Sequence, residues 1–138
     1  MCNITRKTKR KTADMYKVVF KHENNYYGFY SCMKINIGEV ISEDIANDNI
    51  SRASAGHGSI FTIDYSKNTI FYGKISGFIK LKDAKILFNT YPKTSTIIKL
   101  KITGDIYEGD GTGIGSQFTG EEKTLFGTEV ISFKEIKV

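Results

Sequence analysis

The segment LKDAKILFNTYPKTSTIIKLKI, residues 81–102, contains both kinds of regular structure that decide the fold. Apolar residues recur in its first half at the spacing of one helix face: Leu81, Ala84, Leu87 and Phe88. Pro92 cannot continue a helix, and it disfavours the α conformation of the residue before it. We therefore predict one main helix over about residues 80–91.

The second half of the segment alternates as a strand does, with Ile98, Leu100 and Ile102 separated by lysines. Other runs rich in aromatic and β-branched residues predict further strands on both sides. These runs cover residues 15–21, 26–35, 59–65, 69–75 and 124–138. The predicted fold is α+β, with a twisted antiparallel sheet, one main helix and long loops.

Turn residues separate several of these runs. HENN, residues 22–25, predicts a hairpin with a loop of four residues or more. SKN, residues 66–68, predicts a second hairpin. Residues 42–58 are polar, show no clean period and predict a long loop.

Charge is concentrated at the N-terminus. Of the 20 basic residues, five precede the first acidic residue, Asp14: Arg6, Lys7, Lys9, Arg10 and Lys11. The remaining 15 balance the 15 acidic residues, so a neutral body carries a basic segment. We interpret residues 1–13 as a basic, flexible arm and residues 14–138 as one domain. Two alternatives stay open for the arm, contact with nucleic-acid phosphates and a solvated terminus. Its removal over residues 1–12 is expected to leave stability almost unchanged.

Several functional classes lack their usual signals. Cys2 and Cys32 form no CxxC motif, and His22 and His57 lie far apart, so we expect neither a metal nor a cofactor. No apolar stretch of 18 residues predicts a membrane span, and no apolar segment follows the basic residues as in a secretory signal. The expected location is the cytoplasm, or the host cytoplasm for a phage-encoded protein.

The glycine-rich segment YEGDGTGIGSQFTGEE, residues 107–122, raises the question of a phosphate-binding loop. Glu121 stands where a P-loop needs lysine, and Ser116 stands where the dinucleotide motif needs its third glycine. A strand is predicted after it, whereas both motifs need a helix. We interpret residues 109–120 as a mobile loop that can act as a lid.

A ligand site is predicted where polar loops meet the aromatic strand. Arg52 offers forked donors for phosphate or carboxylate, and His57 adds a donor between two glycines. Tyr27 offers a ring for stacking, and Gly113 and Gly115 would let the lid close over the ligand. No catalytic constellation stands out, so an enzyme is the less favoured class.

The chain resembles a group of small proteins found in gut bacteria and their phages. The shared motifs are a Met-Cys start with a basic leader, a YKV strand, an IG turn, a GF segment leading into a DAK helix, a YEG segment and a final strand. Here they read MCNITRKTKRKT (1–12), MYKVVF (15–20), NIGEV (36–40), GFIKLKDAKILF (77–88), IIKLKITGDIYEG (97–109) and TEVISFKEI (128–136). Where relatives read GFH this chain has Ile79, which disfavours chemistry at that position.

The resemblance implies a phage or mobile-element origin. The first hypothesis is therefore an accessory protein that binds a small anionic, nucleotide-like ligand or a host protein and counters host defence. The second is an enzyme with an ADP-ribosyltransferase-like or nuclease-like cleft that uses His57 or Glu129. The third is a nucleic-acid-binding accessory protein that acts through the basic arm. A homo-oligomer is compatible with each of them.

Overall fold

The computed structural model describes residues 3–28, 35, 61–64, 69–72, 75–111 and 116–137. The strands are β1 (Asn3–Lys7), β2 (Thr12–His22), β3 (Asn25–Gly28), β4 (Phe61–Asp64), β5 (Thr69–Tyr72), β6 (Ile75–Phe78), β7 (Ser95–Thr103), β8 (Tyr107–Asp110), β9 (Lys123–Gly127) and β10 (Glu129–Ile136). One helix, α1 (Leu81–Thr90), lies between β6 and β7 in the described part of the chain. The α+β class is confirmed.

All ten strands of the described residues belong to one sheet. Its order is β10-β7-β2-β6-β9-β8-β1-β4-β5, and β3 also pairs with β2. Neighbours are antiparallel except β1 and β4, which are parallel. The most extensive strand pairing joins β2 to β7 over nine residue pairs, from Thr12–Thr103 to Phe20–Ser95. β2 and β7 carry several residues of the candidate site described below.

Both faces of the central strands carry buried residues. On one face, Met15 and Val19 pack with Ile98, Leu100 and Ile102. The other face lies under α1 and carries a second core, formed by Val18, Phe78, Ala84, Leu87, Ile97 and Phe118. Ile97 and Ile98 are adjacent and both fully buried, because successive strand residues point to opposite faces. The alternation predicted for 98–102 is confirmed, and the second buried face explains Ile97.

The predicted helix is confirmed over Leu81–Thr90. Ala84 and Leu87 are buried, and Leu81 and Phe88 pack at the margin of the same core. Tyr91 leaves the helical conformation with φ −135° and ψ 54°, as expected for a residue before proline.

The basic N-terminal segment is part of the sheet. β1 lies between β8 and β4, with Asn3 opposite Asp110 and Ile63. Thr12 and Ala13 begin β2. The interpretation of residues 1–13 as a flexible arm therefore fails for residues 3–7 and 12–13, because backbone pairing with distant strands holds them. Residues 8–11 connect the two strands.

The first hairpin is tighter than predicted. His22 pairs with Asn25, so only Glu23 and Asn24 form the loop, with φ of 50° and 65°. Two consecutive positive φ values are the pattern of a type I′ turn, which matches the strand twist of a hairpin. The second hairpin is confirmed by the pairing of β4 with β5, from Phe61–Tyr72 to Asp64–Thr69.

The glycine-rich segment is only in part a loop. Tyr107–Asp110 form β8, and the Gly111 amide bonds to the Glu122 carbonyl at 3.2 Å. A Cβ on Gly111 would lie 3.2 Å from Phe118 and 3.3 Å from Phe78, which explains the glycine by close packing. Gly113 and Gly115 lie outside the described residues, so a lid is not tested.

Candidate anion-binding groove

Three adjacent strands place lysines on one surface of the sheet. Lys99 on β7 has Tyr16 of β2 opposite it on one side and Lys134 of β10 on the other. Residues directly opposite each other in a sheet share a face. Lys101, two residues along β7, in the same way has Asp14 and Ser132 opposite it.

A β-bulge in β10 brings Lys134 to this surface. Val130 pairs with the buried Ile102, but Ser132 pairs with Lys101, so the register shifts by one residue between them. A shift of one residue moves every following side chain to the other face of a sheet. Without the bulge, Ser132 and Lys134 would point into the core that receives Val130. The bulge therefore places Ser132 and Lys134 on the same face as Lys101 and Lys99.

These residues line a depression of about 300 Å³, here called the lysine groove. Its lining residues are Asp14, Lys99, Leu100, Lys101, Ser132, Phe133 and Lys134. It thus holds three ammonium groups and one carboxylate. In the described part of the chain, no ion pair involves any of the three lysines.

A contact with an aromatic ring positions one of these three lysines, Lys99. The Lys99 Nζ lies 5.8 Å from the centroid of the Tyr16 ring, within the range of a cation–π contact. Tyr16 itself packs at the margin of the core under α1. Lys134, directly opposite, is exposed. Like charges at directly opposite positions destabilise a sheet, and a bound anion would relieve that cost.

A second polar cluster lies on the other face. The Glu135 Oε2 accepts hydrogen bonds from Lys21 Nζ at 3.0 Å and from Tyr26 Oη at 2.9 Å. Its Oε1 accepts one from Thr96 Oγ1 at 3.0 Å. The hydrogen bond from Lys21, then those from Tyr26 and Thr96, lower the pKa of Glu135. This cluster joins β2, β3, β7 and β10, and we assign it a structural role.

Of the predicted ligand residues, the described part of the chain contains Tyr27. Tyr27 lies on β3, opposite Phe20, and is half-buried. Arg52, His57, Gly113 and Gly115 lie outside the described residues. The predicted ligand site therefore stays a prediction.

The predicted nucleic-acid residues divide into two groups. Arg6 forms an ion pair with Glu108 at 2.8 Å, and Lys7 forms one with Asp105 at 3.4 Å. Both basic residues of β1 therefore have an acidic partner. Lys9, Arg10 and Lys11 are exposed in the connection between β1 and β2.

Sequence reasoning missed the lysine groove. The alternation of 98–102 does place Lys99 and Lys101 on one face, and that signal was present. The register of β10 is not readable from its residues, because the bulge depends on pairing with a strand about 30 residues earlier.

No group of three or more His, Cys, Asp or Glu side chains in the described part of the chain is arranged to hold a metal ion. No helix in that part of the chain has the length and apolar character needed to cross a bilayer.

Comparison with known proteins gives no match: no family model, no curated protein and no solved structure is similar to this chain.

Proposed function

We propose that this protein binds a small anionic ligand, of the phosphate or nucleotide class, in the lysine groove. The observation that carries the proposal is the pairing of Lys99 with Lys134 beside Lys101, with one carboxylate, Asp14, among the lining residues. An ammonium group binds phosphate as a point charge, and three of them around one depression provide more attraction than one.

The dimensions of the groove limit the ligand. A depression of about 300 Å³ is at the lower end of the range for small-molecule sites. Ser132 adds a hydroxyl that can donate to a phosphate oxygen, and Leu100 and Phe133 add apolar surface. A phosphate with an attached sugar or base edge fits this chemistry better than a large polyanion does.

The biological role is proposed from the sequence alone. The resemblance to small proteins of gut bacteria and their phages supports a phage or mobile-element accessory protein. Such a protein would counter host defence by holding a nucleotide-like ligand. Binding to a host protein is the alternative within the same role.

The test compares two double variants with equal loss of charge. Lys99→Gln/Lys134→Gln removes the opposed pair, and Lys82→Gln/Lys85→Gln removes two exposed lysines of α1. Calorimetry and thermal shift would use inorganic phosphate, nucleoside monophosphates and cyclic dinucleotides as probes. We expect the groove variant to lose about 10-fold or more in affinity, since each lost charge-assisted contact contributes about 1.5–3 kcal/mol.

The helix variant should bind as the wild type does. Equal affinity in the two variants would show that the anion binds elsewhere. Failure of the wild type to bind any of these probes would contradict the proposal itself.

A second candidate, nucleic-acid binding, has one observation in its favour. The exposed connection with Lys9, Arg10 and Lys11 leads into β2, and Thr12 lies opposite Thr103, two residues beyond Lys101. Basic residues thus continue past one end of the lysine groove. A single-stranded oligonucleotide would then bind with a steep salt dependence, whereas a mononucleotide would not.

The enzyme hypothesis gains no such observation. Glu129 is half-buried and pairs with Thr103 at the start of β10, and His57 lies outside the described residues.

A further inference from the structure

The lysine groove is not uniformly positive, because its β2 side carries a carboxylate. Asp14 on β2 lies directly opposite Lys101 on β7, and residues directly opposite each other share a face of the sheet. Two residues along each strand, a second row on the same face consists of Tyr16, Lys99 and Lys134. The ammonium groups thus belong to β7 and β10, whereas the carboxylate belongs to β2.

The Asp14 carboxylate is accessible to a ligand in the groove. Asp14 is exposed and lines the depression. Within the described residues, no ion pair includes Asp14, although Lys101 lies opposite it. An ionised carboxylate donates no hydrogen bond, and its two oxygens can accept from two donors at once. The part of a ligand that reaches Asp14 must therefore carry donors.

An acidic residue in an anion-binding groove repels the anion to a degree that depends on distance. β2 and β10 are two strand spacings apart, about 10 Å. Exposed charges separated by more than about 8 Å are largely screened at physiological ionic strength. A phosphate between Lys99 and Lys134 lies beyond the strong repulsion of Asp14, whereas a phosphate between Asp14 and Lys101 does not. The charge pattern therefore favours a phosphate at the β10 side of the groove.

We propose, on the basis of the anion binding proposed above, that the lysine groove selects ribonucleotides, with the phosphate at Lys99 and Lys134 and the ribose hydroxyls at Asp14. The 2′- and 3′-hydroxyls of ribose are neighbouring donors, so both can donate to the two oxygens of one carboxylate. A hydrogen bond to a charged acceptor is about twice as strong as one between neutral groups. Asp14 is then the residue that distinguishes a ribonucleotide from a deoxyribonucleotide and from free phosphate.

A purely structural role for Asp14 leads to a different expectation. Opposite charges at directly opposite positions stabilise a sheet, and Asp14 faces Lys101 in this way. If that were its whole role, its replacement would raise the affinity for every phosphate compound by the same factor, because one negative charge leaves the groove. Recognition of ribose requires changes that differ between ligands: unchanged or higher affinity for inorganic phosphate, and lower affinity for a ribonucleotide.

Calorimetry of the full chain with four probes measures this difference. The probes are inorganic phosphate, adenosine 5′-monophosphate and its 2′-deoxy and 2′,3′-dideoxy counterparts. All titrations contain the same salt and a chelator, so that no metal ion bridges Asp14 to a phosphate. We expect the wild type to bind the ribonucleotide about 10-fold or more tightly than the dideoxy compound, because the latter lacks both hydrogen bonds to a charged acceptor. The 2′-deoxy compound should lie between them.

Two substitutions of Asp14 test whether this residue causes the preference. Asp14→Ala removes both acceptor oxygens and should reduce the preference to about 2-fold or less, since no charged acceptor is left. Inorganic phosphate should bind this variant at least as well as the wild type. Asp14→Asn keeps the shape and one acceptor oxygen, so it should keep part of the preference. Both substitutions change an exposed residue, so the Tm should stay close to that of the wild type.

The controls separate ribose recognition from anion binding. Glu121→Gln removes an exposed carboxylate that does not line the groove, and it should keep the full preference. Equal affinity of the wild type for the ribonucleotide and the dideoxy compound, or an unchanged preference in Asp14→Ala, would overturn ribose recognition and leave anion binding intact. Unchanged binding of inorganic phosphate by Lys99→Gln/Lys134→Gln would contradict anion binding in this groove, and ribose recognition with it.

Discussion

Glu135 shows how one residue can serve four strands. Three donors from β2, β3 and β7 converge on its carboxylate, which lies on β10. The side chain of Glu135 is 36% exposed and that of Lys21 is 44% exposed, so solvent screens the pair. Its contribution to stability is therefore modest, in the range of exposed ion pairs.

The pH dependence of Glu135 follows from the sign of its shift. Its pKa is lower in the folded protein than in the unfolded chain, where a glutamate has a pKa of about 4.3. The stabilisation is thus complete above that value and is lost as the pH falls through the folded-state pKa. We expect Glu135→Gln to lower the Tm at pH 7 by about 4 °C or less and to have no effect near pH 2.

Thermal unfolding followed by circular dichroism between pH 2 and pH 8 checks this prediction. Glu121→Gln serves as the control, since it removes an exposed carboxylate on the same chain. A Tm difference between Glu135→Gln and wild type that stays constant across this range would contradict the role assigned to the cluster.

Residues that matter through burial were the hardest to identify from sequence. Asp83, which is buried, lies between Lys82 and Lys85 in an amphipathic helix. Charged residues in such a segment are usually exposed to solvent. The helix that carries it packs against β2, β6 and β7, and this packing is set by strands distant in the sequence. No local pattern contains that information.

At the scale of elements, α1 could be predicted almost to the residue. The apolar stripe, the neighbouring proline and the length of the segment are local signals that act within one turn or two. The tight turn at Glu23 and Asn24 could not, because Glu is an unusual residue at a positive φ. The pairing of the flanking strands selects the conformation there over local preference.

The packing of α1 gives a prediction for the element. Leu87 is 4% exposed and contacts the core under the helix, so Leu87→Ala should lower the free energy of unfolding by about 2–5 kcal/mol. Lys85→Ala, on the exposed side of the same helix, should change it by about 0.5 kcal/mol or less. Urea unfolding measures both, and equal midpoints for the two variants would show that α1 does not depend on this core.

At the scale of the molecule, the sheet is assembled mainly from distant pairs. The fold class and the position of α1 followed from composition and pattern, whereas strand order did not. β1 illustrates this limit, because TRKTKRKT reads as a solvated segment and its Arg6 and Lys7 nevertheless pair with β8. Pairing of backbone groups does not require apolar side chains, so hydropathy does not reveal it.

Removal of β1 tests its place in the sheet. A chain that starts at Thr8 loses the pairing with β8 and β4 and the ion pair between Arg6 and Glu108. We expect a loss of about 3 kcal/mol or more, since each net backbone hydrogen bond contributes about 0.5–1.5 kcal/mol. Urea unfolding measures it.

The matched control keeps the strand and removes charge next to it. Lys9→Ser/Arg10→Ser changes two exposed residues of the connection and should leave the urea midpoint unchanged. A truncated chain as stable as this control would mean that β1 is not needed for the fold.

The position of β1 in the sheet also has a consequence for folding during synthesis, because its partner strand is made later. β1 is synthesised before its partner strand, because Glu108 lies 102 residues after Arg6. At about 5–20 residues per second, the nascent chain waits roughly 5–20 s for that partner. An unpaired strand edge invites aggregation, and positive side chains oppose it. We expect the lysines and arginines of this segment to oppose aggregation of the nascent chain until β8 has been synthesised.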